Sequence, residues 1–145
     1  MLITKLLIAF SLMAFCVAIH AMGLIAVFRW MKKHVAHGGG DFWPPARTLI
    51  RIASWTVFLH LIQILVWAFM YAWRGVMPDF QTAAYFSAVT YTTTGYGDFV
   101  PPAEWRLVGG VEALTGILMC GLSTGMFFVV FSSIFGLDRK AGPTP

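Results

Sequence analysis

Charge is scarce in this sequence. Of its 145 residues only 11% are charged, with six Asp and Glu against ten Lys and Arg, while 59% are hydrophobic and the mean hydropathy is +0.76. So few charges cannot cover a water-soluble globule holding 13 Phe, 6 Trp and 8 Met, which excludes an ordinary soluble domain. Cysteine is scarce too. Cys16 and Cys120 both lie inside apolar stretches, which excludes a disulfide framework and argues against a metal-binding or nucleophilic thiol. The basic residues form no patch of the kind nucleic acid requires, so no nucleic-acid partner is expected. No paired acid/base or nucleophile constellation occurs, so neither an enzyme nor a cofactor is expected.

What the chain has is apolar length. A bilayer core of roughly 30 Å needs about 20 helical residues. Residues 6–28 and 52–73 carry no formal charge and are long enough to span; His60 and Gln63 are the strongly polar members of the second run. Residues 107–137 form a third run, interrupted by Glu112 and by glycines that include Gly116, Gly121 and Gly125, so tilt or a bend is expected. Residues 80–92 are only moderately apolar, and as a helix they would rise roughly 20 Å, too short to cross. That length suits a re-entrant segment. The expected fold class is an all-α membrane protein with three transmembrane helices and a re-entrant helix, and the lipid bilayer is its first partner.

A secretory signal peptide competes for the first run, because Ala18, Ile19, His20 and Ala21 loosely resemble a cleavage site. The run continues to Phe28, however, and is closed by Arg29, Lys32 and Lys33, a stop-transfer arrangement. Basic residues then orient the chain. Arg29, Lys32, Lys33, Arg47 and Arg51 lie between the first two runs and Arg139 and Lys140 lie in the tail, whereas only Lys5, Arg74 and Arg106 fall on the other side. A cytoplasmic linker, an outward N-terminus and a cytoplasmic C-terminus are expected. The connection between the second and third runs is then external.

That connection contains Tyr91, Thr92, Thr93, Thr94, Gly95, Tyr96, Gly97 and Asp98 in succession. A turn in a soluble loop can contain Thr-Gly-Tyr-Gly-Asp, but here it follows a span and a short helix and precedes a glycine-containing span. In that context the chain resembles the potassium channel pore family, whose selectivity filter reads Thr-Val-Gly-Tyr-Gly and is usually followed by Asp. The likeness covers roughly residues 49–136. It implies residues 1–28 as an extra N-terminal transmembrane helix, 29–48 as a basic cytoplasmic linker, 49–137 as the pore domain and 138–145 as a short tail without a ligand-binding domain. It also implies a multi-pass protein of the plasma membrane that passes potassium ions.

The chemistry of the filter has its own logic. A dehydrated cation needs several oxygens at once, and an extended strand supplies them only when successive carbonyls face one way. Gly95 and Gly97 can adopt positive φ at little steric cost, so that Thr93, Thr94, Gly95 and Tyr96 direct carbonyls to one axis, with the Thr93 hydroxyl as a further ring. One chain furnishes one wall of such a tube, so a homotetramer is expected. The C-terminal end of the preceding helix would aim partial negative charge at a cation in the cavity.

The chain departs from the common pattern in places. Thr94 replaces the usual Val, adding a hydroxyl able to bond behind the filter. Tyr85 and Phe86 occupy positions where many relatives carry paired tryptophans; Tyr85 can donate to Asp98. Val89 stands where some relatives carry a glutamate. Glu112 is expected to bond the back of the short helix, at Thr90 or Thr92, rather than contact ions. Gly116, Gly121 and Gly125 give close packing or a gating hinge. His34, His37, the glycines at 38–40 and Asp41 read as flexible linker, lacking the context of a metal or phosphate site. His60 and Gln63 read as an interhelical hydrogen-bonding pair. Two other functions remain: a non-selective cation channel, and a non-conducting membrane partner that keeps the pore fold.

Overall fold

The structure, a computed structural model, describes residues 2–34 and 43–135. These form helices α1 (Leu2–His34), α2 (Trp43–Trp73), α3 (Phe80–Tyr91) and α4 (Arg106–Phe135), with a 3-10 turn at Ala103–Trp105. No strand occurs among the described residues. Three helices are long and apolar enough to cross a membrane, over Leu2–Lys33, Pro45–Trp73 and Ala103–Ile134. This is an all-helical membrane protein. His37, the glycines at 38–40, Asp41, Arg139 and Lys140 lie outside the described residues.

The helices outrun the apolar segments for local reasons. Nothing between Phe28 and His34 breaks a helix, so α1 carries Arg29, Lys32 and Lys33 beyond its apolar stretch. α2 starts early because Pro44 and Pro45 fall in its first turn, where a missing N–H costs nothing. It ends in a Schellman arrangement: Gly75 has φ +62°, its N–H bonds the Ala72 carbonyl at 3.0 Å, and the Val76 N–H bonds the Tyr71 carbonyl at 2.9 Å. Pro78 follows. The 12-residue α3 rises about 18 Å and does not cross a bilayer. Asp79 caps it, accepting from the Thr82 N–H at 2.8 Å and the Thr82 hydroxyl at 2.9 Å.

Packing wedges α3 between α2 and α4. Trp67 and Tyr71 of α2, Ala83, Phe86 and Tyr91 of α3, Val108 and Met119 of α4, and Cys16 of α1 share one buried cluster. Tyr71 meets the Phe86 ring edge-on at 5.2 Å. α1 runs parallel to α4 and antiparallel to α2, since Lys5 pairs with Glu104 at 3.2 Å and sits over Trp105 at one end while Arg51 sits over Trp30 at the other. Large apolar side chains such as Phe69, Trp73 and Phe128 face outward. In water they would be a liability; in lipid they are the solvated surface.

Candidate functional site

The site begins where α3 stops. The Thr92 N–H still bonds the Ala88 carbonyl at 3.1 Å, Thr93 N–H bonds the Thr90 carbonyl at 3.0 Å, and Gly95 N–H reaches back to the Val89 carbonyl at 3.0 Å. The chain then extends with alternating hand: Thr93, Gly95 and Gly97 have φ of +59°, +55° and +77°, whereas Thr94 and Tyr96 do not enter the positive region. In a regular strand successive carbonyls alternate in direction, and reversing the hand at every second residue turns them to one side. Glycine supplies this freely at two of the three positions. At Thr93, a β-branched residue, the same geometry stores on the order of 1–3 kcal/mol of strain, which only a surrounding scaffold can hold.

That scaffold consists of side chains behind and above the strand. Thr92 Oγ donates to the Ala88 carbonyl at 2.7 Å, which leaves its oxygen to accept from the Thr94 hydroxyl at 2.9 Å. The Thr94 hydroxyl is therefore tied toward α3. Tyr85 Oη donates to Asp98 Oδ2 at 2.7 Å, and its ring meets Phe99 edge-on at 5.8 Å. This bond to a carboxylate raises the Tyr85 pKa above the ordinary phenol value, while the Thr82 N–H and hydroxyl hold Asp79 below the ordinary carboxylate value. From Thr92 to Val100 every residue is exposed on the isolated chain, and Tyr96 is 71% exposed. The extended segment after α3 is thus left without intrachain cover.

Glu112 is fully buried behind α3 and bonds Tyr71 Oη at 2.9 Å and the Ser87 hydroxyl. The expected partners Thr90 and Thr92 are not used: Thr92 bonds the Ala88 carbonyl and Thr94, and Ser87 is the α3 residue whose hydroxyl reaches Glu112. Phe86 lies against Tyr71 on the same side. α4 stays helical through all three candidate hinge glycines. A Cβ at Gly116 would collide with the Tyr91 carbonyl, so this glycine lets α4 approach the end of α3; a Cβ at Gly121 or Gly125 meets nothing within 4 Å. His60 and Gln63 do bond between helices, but in a larger group with His20, Tyr91 and Ser123. Sequence reasoning missed His20 and Ser123, although a histidine inside an uncharged span was a signal that it needed a partner.

An alternating-hand Thr-Thr-Gly-Tyr-Gly strand, seated at the end of a short helix between two spans, is the arrangement expected of a pore. A family model described as "Ion channel" matches residues 49–133, more than half of the chain. The chain belongs to this ion channel family. The chain is 33% identical over 92 residues to the potassium voltage-gated channel protein Shal of Drosophila melanogaster, covering 59% of this chain and 16% of Shal. It is 39% identical over 77 residues to probable potassium channel protein 2 of Methanocaldococcus jannaschii, covering 52% of this chain and 20% of that protein. The matched segment is thus a fifth or less of the length of these relatives. No solved structure matches the chain. Helix α1 is additional to the ion channel domain, all of it preceding the matched segment.

Proposed function

We propose that four copies of this chain surround one axis and conduct potassium ions passively across the plasma membrane, with the filter facing outward and the 29–48 linker in the cytoplasm. The alternation of hand at Thr93, Gly95 and Gly97 carries the reading. In this reading the carbonyls of Thr93, Thr94, Gly95 and Tyr96 share one side, and stacked layers of such oxygens replace the hydration shell of potassium better than that of sodium. The uncovered segment needs neighbours, and only closed rotational symmetry gives identical chains equivalent shares of one ion path. Asp98 and Tyr85 support the filter from outside, while Phe86 and Glu112 support it only indirectly, by holding α3 from behind.

Reconstitution tests this. Purified protein in liposomes should show reversal potentials favouring potassium over sodium, and Tyr96→Asp should abolish the preference. Equal permeability in the unaltered protein would establish a non-selective cation channel instead, and absence of any current from a folded assembly would point to a non-conducting partner subunit. Native mass in detergent should correspond to four chains. A thiol label at Gly39→Cys should react only after intact cells are permeabilised.

A further inference from the structure

Five side chains from all four helices close a ring of hydrogen bonds. His20 comes from α1, His60 and Gln63 from α2, Tyr91 from α3 and Ser123 from α4. Around it, Gln63 Nε2 lies 2.9 Å from His20 Nδ1, and His20 Nε2 lies 3.0 Å from Ser123 Oγ. Ser123 Oγ lies 3.1 Å from His60 Nε2, His60 Nδ1 lies 3.1 Å from Tyr91 Oη, and Tyr91 Oη lies 2.8 Å from Gln63 Oε1.

Counting protons assigns every direction. The second Gln63 N–H donates to the Leu59 carbonyl at 3.2 Å, which fixes the amide with its oxygen toward Tyr91. Tyr91 donates to that oxygen, so its own oxygen accepts from His60 Nδ1–H. His60 Nε2 then carries a lone pair that takes the Ser123 hydroxyl proton, Ser123 accepts from His20 Nε2–H, and His20 Nδ1 accepts from Gln63. With both imidazoles neutral the ring is satisfied throughout.

A second arrangement uses the same positions. Ser123 Oγ also lies 2.9 Å from the Met119 carbonyl one turn back in α4. When the hydroxyl turns there, His60 Nε2 faces an oxygen with no proton between them, and one added proton on Nε2 restores the bond. His60 then donates to Tyr91 and Ser123 together, and no heavy atom moves. His20 has no such option, because its Nδ1 already faces a fixed N–H donor. The two imidazole centroids are 5.1 Å apart, so a second charge is opposed by the first. His20 is fully buried and His60 only partly, so His60 is also the imidazole that a proton can reach.

We propose that this ring is a proton-binding site, that His60 takes the proton, and that its charge lowers cation conduction. The last clause rests on the channel reading above. His60 bonds Tyr91, the last residue of α3, and its ring lies edge-on to the Tyr91 ring at 5.8 Å. The C-terminal end of α3 favours a cation nearby, and a fixed imidazolium there opposes a mobile ion drawn by the same dipole. The electrostatic neighbours of Tyr91 are Cys16 of α1 and Cys120 and Glu112 of α4, besides His60 in the ring itself, and His20 of α1 is the titratable group that faces His60. The Glu112 carboxyl is held by Tyr71 and Ser87 rather than by the ring.

The test is nitrogen NMR on histidine-labelled full-length protein in nanodiscs, with His34 and His37 changed to Gln to clear the spectrum, alongside potassium flux in liposomes. Between about pH 8 and about pH 5, spanning the ordinary imidazole range, His60 should pass from one N–H to two while His20 keeps its Nε2–H form. Flux should fall several-fold over that range in the parent and stay level in His60→Gln. A His60 that stays neutral, or a His20 that takes the proton first, overturns the site. Protonation of His60 with an equal fall in flux in parent and His60→Gln overturns the coupling. Protonation of His60 in a folded protein that passes no ions at any pH overturns the channel reading and leaves the proton site standing.

Discussion

Gly116 of α4 faces the Tyr91 carbonyl at the end of α3 so closely that a methyl group would overlap the oxygen. Backbone cannot swing aside as a long side chain does, and overpacking of this kind costs about 1–3 kcal/mol. Gly116→Ala should therefore lower the thermal midpoint of the assembly and loosen the seat of the filter, whereas Gly121→Ala and Gly125→Ala should leave the midpoint nearly unchanged. If channel opening slows in either of the latter two, that glycine acts as a hinge. Equal melting of Gly116→Ala and the parent would refute the close approach.

Glu112 joins α4 to both other elements of the pore, through Tyr71 on α2 and Ser87 on α3. Ser87 has one hydroxyl proton and two acceptors in reach, Glu112 and the Ile64 carbonyl at 2.8 Å. A glutamine brings N–H groups of its own and satisfies both, so Glu112→Gln should be neutral or slightly stabilising. Glu112→Ala leaves the Ser87 proton to the Ile64 carbonyl but strands the buried Tyr71 hydroxyl, and should cost on the order of 1–3 kcal/mol by melting of the detergent-solubilised protein. Were both variants to melt like the parent while altering conductance alike, the side chain would belong to the ion path instead.

The contrast between these residues shows what a sequence reveals. The spans, the short helix and the positive φ of Gly95 and Gly97 were legible because each follows from a local pattern: apolar length, a moderately apolar run too short to cross, or glycine in a filter motif. That Glu112 needed a partner was legible too, since a carboxyl inside a span is costly alone. Which hydroxyl answers it was not, because the rotation of α3 against α4 selects Ser87 over Thr90, and rotation is a property of packing. The left-handed Thr93 was hidden for the opposite reason: its intrinsic preference argues against it, and tertiary context overrides. The ring through His20 required four helices in register, which no single window contains.

Thr94 is the chief departure from the filter pattern that the chain resembles, and its hydroxyl bonds the Thr92 hydroxyl at the end of α3 at 2.9 Å. Thr94→Val removes that tie and nothing from the carbonyl layers. Reversal potentials of the parent and Thr94→Val should coincide, while the filter, released from one hydrogen bond of about 0.5–1.5 kcal/mol, should inactivate at a different rate. A marked sharpening of potassium preference in Thr94→Val would mean that the hydroxyl perturbs a carbonyl layer after all.

Asp79 gives the pore helix a pH dependence of its own, separate from the ring. Its carboxylate accepts from the Thr82 N–H and hydroxyl, and these bonds hold its folded pKa below the ordinary carboxylate value. A depressed folded pKa stabilises the folded state fully above the unfolded pKa of about 3.9, and that stabilisation is lost as pH falls through the lower folded value. Thermal melting should therefore show Asp79→Ala less stable than the parent by a constant margin near neutral pH, with the margin shrinking below about pH 4 as the parent protonates. Asp79→Asn, which still caps through its amide oxygen, should sit close to the parent near neutral pH and carry no acid-dependent loss from this position. A parent and an Asp79→Ala variant that lose stability in parallel on acidification would show that the cap contributes nothing to the start of α3.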